Sequence, residues 1–239
     1  MSLKKLRNQI DRTDKLIVGL LNERAKVILN IAKLKHKSGK NIYVPERENE
    51  ILKKLSKFSC GPMERAALKA IYREIMSSSL KLEKPLRIAY MGPEASFSNL
   101  AALKKFGSQV GYVACASIAD VFLEVEKGEA DYGVVPIENS IEGAVTHTLD
   151  LLVDSDLKIC SHLILDVAHN LLSNCAKAKI KRVYSNPQVF GQCRRWLQEN
   201  LPQAEQIEVV STTRAAQIAT KEKNSACVAS LLAAEVYKL

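Results

Sequence analysis

The chain has 239 residues, 47% of them hydrophobic and 26% charged, a balance that excludes wholesale disorder and suits one or two globular domains. No apolar run approaches the roughly 18 residues that span a bilayer, and the N-terminal MSLKKLRNQIDRTDK lacks the apolar stretch of a secretory signal. The net charge of +9 is lopsided: residues 1–84 carry 20 Lys and Arg against 9 Asp and Glu, and residues 85–239 carry 15 against 17.

Over residues 3–37 the apolar side chains Leu3, Leu6, Ile10, Ile17, Leu20, Leu21, Val27, Ile28, Ile31 and Leu34 recur at helical spacing, with no Pro and only the isolated Gly19. This predicts one helix about 50 Å long at 1.5 Å rise per residue. Short neighbours cannot cover so long a stripe; another long helix, most simply from a second copy of the chain, can. Ser38-Gly39-Lys40-Asn41 breaks the helix, and Pro45 suits the first turn of a second, over about 45–58. Cys60-Gly61-Pro62 ends that one, and a third is expected over about 63–82. Residues 1–84 thus read as an all-α, three-helix domain.

After Lys84-Pro85 the pattern changes. Short strand-like runs are expected at 86–91, 110–115, 132–135, 157–167, 183–184, 207–210 and 226–229, most of them separated by helical stretches. Such alternation predicts an α/β domain over 85–239 with a largely parallel sheet, which binds ligands at the carboxyl ends of its strands or between lobes. No repeat of 20–50 residues and no low-complexity stretch interrupts it.

The cations of the first segment follow helix geometry. Arg24 and Lys35 share a face about 16 Å apart, whereas Arg7 lies about 100° off that face and about 26 Å from Arg24. One small ligand can meet Arg24 and Lys35; Arg7 can join only from another chain. Arg47-Glu48 lie on the second helix, and Ser79 and Glu83 stand one turn apart on the third. This set could bind a dicarboxylate or could be surface ion pairing.

The segment L-R-x-x-I-D-x-x-D with Arg7 and Asp14, then Arg24, Lys35, P-E-R-E at 45–48 and I-M-S-S-S-L at 75–80, resembles the all-helical chorismate mutase domain. That resemblance implies an intertwined dimer in which each site borrows an Arg. It implies that the partner's Arg7, with Arg24 and Lys35, holds the two carboxylates and the ether oxygen of chorismate. It assigns the substrate hydroxyl to Glu48, with Arg47 in support and Ser79 and Glu83 from the third helix. The rearrangement to prephenate needs neither covalent intermediate nor obligatory proton transfer, so conformer selection and positive charge at the breaking ether bond suffice. No metal or organic cofactor is called for. Two positions depart from the family: Val44 stands where some members carry a substrate-contacting Asp, and Glu83 where some carry Gln. A carboxyl donates to the ether oxygen only when protonated, so mutase activity is expected to fall as pH rises and Glu83→Gln to flatten the profile.

In the second half, G-P-E-A-S-F-S-N at 92–99 puts Ser96 and Ser98 at a helix start, either an anion cradle or a capped turn. The run A-D-Y-G-V-V-P-I-E-N-S-I-E-G-A-V at 130–145 places Glu138-Asn139-Ser140 at a strand end, and Y-S-N-P-Q-V-F-G-Q-C at 184–193 places Ser185 at a helix start and Gln192 further in. These three runs, E-N-S-x-x-G-x-V most specifically, resemble prephenate dehydratase. The resemblance implies two lobes like those of type-2 periplasmic binding proteins, closing on prephenate. It implies Asn139, Ser185 and Gln192 as substrate-binding residues, with Ser96 nearby. The order of the two halves resembles the bifunctional chorismate mutase–prephenate dehydratase arrangement of phenylalanine synthesis.

The departures here are larger. No Thr-Arg-Phe motif follows (Thr213-Arg214 precedes Ala215 at what reads as a helix start), and the chain stops at Leu239 with no ACT segment. Asn186 replaces the usual His after Ser185, and Ala95 a usual Gly. The expectation is a C-terminally incomplete chain with impaired dehydratase activity. Cys60, Cys115, Cys160, Cys175, Cys193 and Cys227 include no C-x-x-C, and His36, His147, His162 and His169 show no ligand spacing. That predicts no metal and reduced thiols in the cytoplasm. No nucleotide-binding motif occurs. Cys193 reads as a small core residue, and Asp150 as a structural charge. Two other classes fit the residues: a non-enzymatic sensor of small carboxylates, which would not turn over chorismate, and a basic nucleic-acid binder, which would show a steep salt slope. The placement of Arg24, Lys35 and Arg7 favours an acidic small substrate, with no nucleic-acid or membrane partner.

Overall fold

A computed structural model describes residues 2–38, 43–58, 61–139 and 143–239. The chain divides into two compact units, Met1–Arg87 with Phe106–Gly111, and Ile88–Lys105 with Tyr112–Leu239.

In the first unit, helix α1 spans Leu3–Ser38, α2 Pro45–Phe58 and α3 Arg65–Glu83. The helical period is thus borne out to within two residues at each end. Pro45 opens α2, where its missing N–H leaves no bond unmade. The expected break at Gly39-Lys40-Asn41 and the Cys60 position lie outside the described residues. α3 packs on both α1 and α2. Even so, much of the α1 stripe faces outward: Leu16, Leu20 and Leu34 keep 68%, 64% and 67% of their surface.

Among the described residues the second unit holds a three-stranded sheet, a two-stranded hairpin and a four-stranded sheet. Strands β1 (Arg87–Met91), β2 (Gly111–Cys115) and β3 (Tyr132–Val134) form the first, ordered β2-β1-β3, with β1 and β3 parallel. Helices α4 (Phe97–Phe106) and α5 (Ile118–Glu126) supply its crossovers. Ser117 and Asp120 close a reciprocal capping box at the start of α5. A small hairpin, β4 (Glu138–Asn139) with β5 (Gly143–Ala144), precedes α6 (Thr146–Asp154).

The second sheet is ordered β6-β9-β7-β8, from β6 (Asn170–Leu172), β7 (Arg182–Ser185), β8 (Glu205–Glu208) and β9 (Ser225–Ala229). β7 runs parallel to both β8 and β9, while β6 is antiparallel to β9. Helices α7 (Pro187–Asn200), α8 (Thr212–Lys221) and α9 (Leu231–Tyr237) complete it. Ala226, Cys227 and Ala229 of β9 are fully enclosed, as befits a central strand buried on both faces.

Two strand expectations need correction. Residues 157–167 form no strand: they lie between α6 and β6 without ladder partners, and Ile159, Ile164 and Val167 are exposed. Apolar, β-branched composition imitated a strand, but a strand needs a neighbour, and the neighbour β9 takes Asn170–Leu172 instead. β8 begins two residues earlier than expected, because its register with β7 sets Glu205 opposite Arg182; Val210 is left outside, 91% exposed.

Candidate active sites

The α1–α3 contact gathers four of the expected residues into two pairs. The Arg24 guanidinium donates to the Ser79 hydroxyl, which itself donates to the Ile75 carbonyl at 2.8 Å. Further along both helices, Lys35 Nζ donates to Glu83 Oε2 at 2.8 Å. A cleft of about 310 Å³ opens beside the first pair, lined by Leu21, Arg24, Glu74, Ser79, Leu82 and Gln109 among others. Fixed cations beside hydroxyl and amide groups in a cleft of this size can hold a small polyanion and meet charge that develops on an oxygen.

Glu48 occupies a different setting. It is buried, its carboxylate paired with Arg73 of α3 and accepting from the Tyr43 hydroxyl at 2.8 Å. Neither partner was singled out by sequence: Tyr43 lies five residues before Glu48, just ahead of α2, and Arg73 comes from α3, to which no local spacing links Glu48. Arg47 points outward instead, bonding Glu50 at 2.8 Å with both side chains exposed. Arg7 is exposed on α1. Val44 accepts the Glu48 N–H at 3.3 Å, opening α2.

In the second unit, Ser96 caps α4: its hydroxyl accepts from Asn99 N–H at 3.2 Å and reaches the Met91 carbonyl at 3.4 Å. Asn99 Oδ1 in turn accepts the Ala95 N–H at 3.0 Å. The turn is therefore a capped one, and Ala95 within it has φ +67°, which explains why glycine suits this position. Ser230, the N-cap of α9, donates to the Ala95 carbonyl at 2.9 Å.

Ser185 does not open a helix. It closes β7, is wholly buried and donates to the Val228 carbonyl at 2.8 Å; Asn186 caps α7 by accepting Val189 N–H at 2.9 Å. The physical reason is that Pro187 at the first helical position leaves the capping place to the residue before it. Gln192 Oε1 lies 2.7 Å from His169 Nε2, and the His169 ring stands edge-on to Phe97, 5.6 Å between centroids. Gln192 is thereby tied to the helix that Ser96 caps, through a histidine to which sequence spacing gave no role. Asn139 sits in β4 opposite Gly143, and Ser140 lies outside the described residues. Thr213 is buried in the first turn of α8, behind the Ser211 cap. Burial pushes the Cys193 thiol up and that of Cys227 to about 12, as packed, unreactive cysteines require. Among the described residues no cluster of His, Cys, Asp and Glu could hold a metal ion, and no helix is long and apolar enough to cross a membrane.

Comparison with known proteins matches two families to the chain. Residues 6–84 match the family model described as chorismate mutase type II, and residues 88–239 that described as prephenate dehydratase. A bifunctional chorismate mutase/prephenate dehydratase of Aquifex aeolicus is 46% identical over 242 residues, covering 99% of this chain and 67% of that protein. The chain thus spans about two thirds of that relative's length. Among solved structures, the prephenate dehydratase of Staphylococcus aureus superposes with a TM-score of 0.55 at 28% identity, covering 64% of this chain and 57% of the other. GqqA, described as a novel type of quorum quenching acylase, does so with 0.58 at 26% identity, covering 64% and 56%. None of these matches supports the expected impairment of the dehydratase half.

Proposed function

The chain belongs to the bifunctional chorismate mutase/prephenate dehydratase family, and from that premise we propose how its residues divide the work. It is an enzyme with both activities of phenylalanine biosynthesis, chorismate to prephenate and prephenate to phenylpyruvate. In our reading residues 1–84 form the mutase domain and residues 85–239 the dehydratase domain.

In the mutase domain, Arg24 and Lys35 bind the carboxylates and the ether oxygen of chorismate. The substrate then takes over contacts that Arg24 and Lys35 make with Ser79 and Glu83. Because guanidinium and ammonium stay charged while the ether bond lengthens, they favour the transition state over the ground state. Glu48, held by Arg73 and Tyr43, accepts the substrate hydroxyl; Arg47, which bonds Glu50 at the surface, stands outside this contact. Arg7 reaches the site from a second copy of the chain. The outward apolar stripe of α1 supports that homodimer.

In the dehydratase domain, the ring carboxylate of prephenate leaves as CO₂, its bonding pair completes the aromatic ring, and the ring hydroxyl departs as water after taking up a proton. Asn139 and Gln192 orient the substrate, His169 steadies Gln192, and Ser96 borders it at the start of α4. Ser185 acts from behind, fixing the end of β7 against β9. Cys115, Cys160, Cys175, Cys193 and Cys227 are free thiols, which suits the reducing cytoplasm we assign to the enzyme.

The observation that carries the mutase reading is the pairing of Arg24 with Ser79 and Lys35 with Glu83 along one helix contact. A chorismate-consumption assay with product identification tests it. Prephenate followed by phenylpyruvate is the expected outcome; unchanged chorismate would overturn the reading.

A further inference from the structure

Residues 106–111 lie within the stretch matched by the dehydratase model, yet they cluster with the three helices of the first unit. Four features seat them there. The Ser108 N–H lies 3.1 and 3.2 Å from the two carboxylate oxygens of Glu74, and the Ser108 hydroxyl donates to the same group. The Gln109 N–H donates to the buried Ser77 hydroxyl at 3.0 Å. Gly107 has φ +76°, and a Cβ there would stand 2.5 Å from Ser77 Cβ, so no other L residue fits without moving α3 or the segment. The Phe106 ring packs 5.1 Å from that of Tyr43, whose hydroxyl holds Glu48.

Each contact falls beside a mutase residue. Glu74 and Ser77 precede Ser79 on α3, Tyr43 is the partner of Glu48, and Gln109 itself lines the cleft with Arg24 and Ser79. The Gln109 amide is in turn held by Ser108, at 3.0 Å.

We infer that residues 106–109 are a positioning strap of the mutase site, with Gln109 forming one polar wall of the cleft that takes chorismate. The strap fixes α3 against rotation, which keeps the Ser79 hydroxyl turned to Arg24, and it braces Tyr43 behind Glu48. A displacement of about 1 Å in such groups can cost a hundredfold in rate. The mutase therefore depends on residues supplied by the dehydratase stretch of sequence. This inference rests on the mutase reading above.

The test is steady-state mutase kinetics on the full chain. Ser108 and Gln109 are surface residues, so the double variant Ser108→Ala/Gln109→Ala is expected to melt as the wild type does. Its kcat/KM for chorismate is expected to fall at least fivefold, with KM rising and kcat falling. Ser108→Thr, which keeps the hydroxyl, should restore the Ser108 share. Gly107→Ala should reproduce or exceed the loss; if it fails to fold, the double variant decides. Kinetics of the double variant within twofold of wild type would overturn the strap. A wild-type chain that turns over no chorismate would instead overturn the mutase reading, and the strap with it.

Discussion

Lys35 of α1 and Glu83 of α3 share a hydrogen bond of 2.8 Å between Nζ and Oε2, and the Glu83 side chain is only 7% exposed. An ammonium needed for substrate is thus held by a carboxylate that can only accept from it while ionised. An amide at the same place would leave the ammonium unneutralised and could donate to the ether oxygen at any pH. Glu83→Gln is expected to raise mutase kcat/KM several-fold, because the amide leaves the Lys35 charge for substrate and can itself donate. Rates of chorismate loss for both proteins at one pH check this, and an unchanged or lower kcat/KM in the variant would dispose of it.

Glu48 and Arg73 form an ion pair whose carboxylate is almost fully enclosed. Removing one partner of such a pair strands the other charge, at a cost of about 3 kcal/mol or more. Arg73→Ala should lower the melting temperature of the helical unit markedly, whereas Glu48→Leu with Arg73→Met should recover most of the loss without restoring turnover. Circular dichroism melts of the three proteins measure this; equal melting of Arg73→Ala and wild type would count against a stabilising pair.

Ala95 combines a left-handed backbone with near-complete burial, 1% exposed. Holding an alanine there costs about 1–2 kcal/mol. Its buried methyl returns about 0.8 kcal/mol, and glycine would lose roughly 0.5–1 kcal/mol more chain entropy on folding. The terms nearly cancel, so Ala95→Gly should change stability by less than about 1 kcal/mol, while Ala95→Val, β-branched at positive φ, should destabilise strongly. Urea unfolding compares them; a large loss in Ala95→Gly would contradict the balance.

The outward side chains of α1 include Ile10 at 59%, Ile17 at 48% and Leu20 at 64% exposure. Ile17→Glu should convert a sedimenting dimer to monomer and reduce mutase turnover at least tenfold, because Arg7 would no longer reach a neighbouring site. Analytical ultracentrifugation with the chorismate assay reads both; a wild-type monomer with full turnover would remove the shared site.

The helical half was open to reading because one period runs unbroken from Leu3 to Leu34 and prolines and glycines mark its breaks. Helix geometry fixed that Arg24 and Lys35 share a face and that Ser79 and Glu83 stand one turn apart; that the two sets would meet across α1 and α3 was legible only through the resemblance to the chorismate mutase domain. Arg73 and Gln109 were not foreseeable: each reaches its place by tertiary packing, which leaves no spacing to detect. The run 157–167 misled because apolar composition says nothing about whether a ladder partner exists, and Ser185 because a hydroxyl beside a proline resembles a cap that Asn186 in fact supplies.

A second copy lying along α1, a rod of 36 residues, as we propose, would make the durability of the first unit a matter of mass action. Dilution would then work on that unit as a denaturant does, lowering its melting point with each decade of protein concentration.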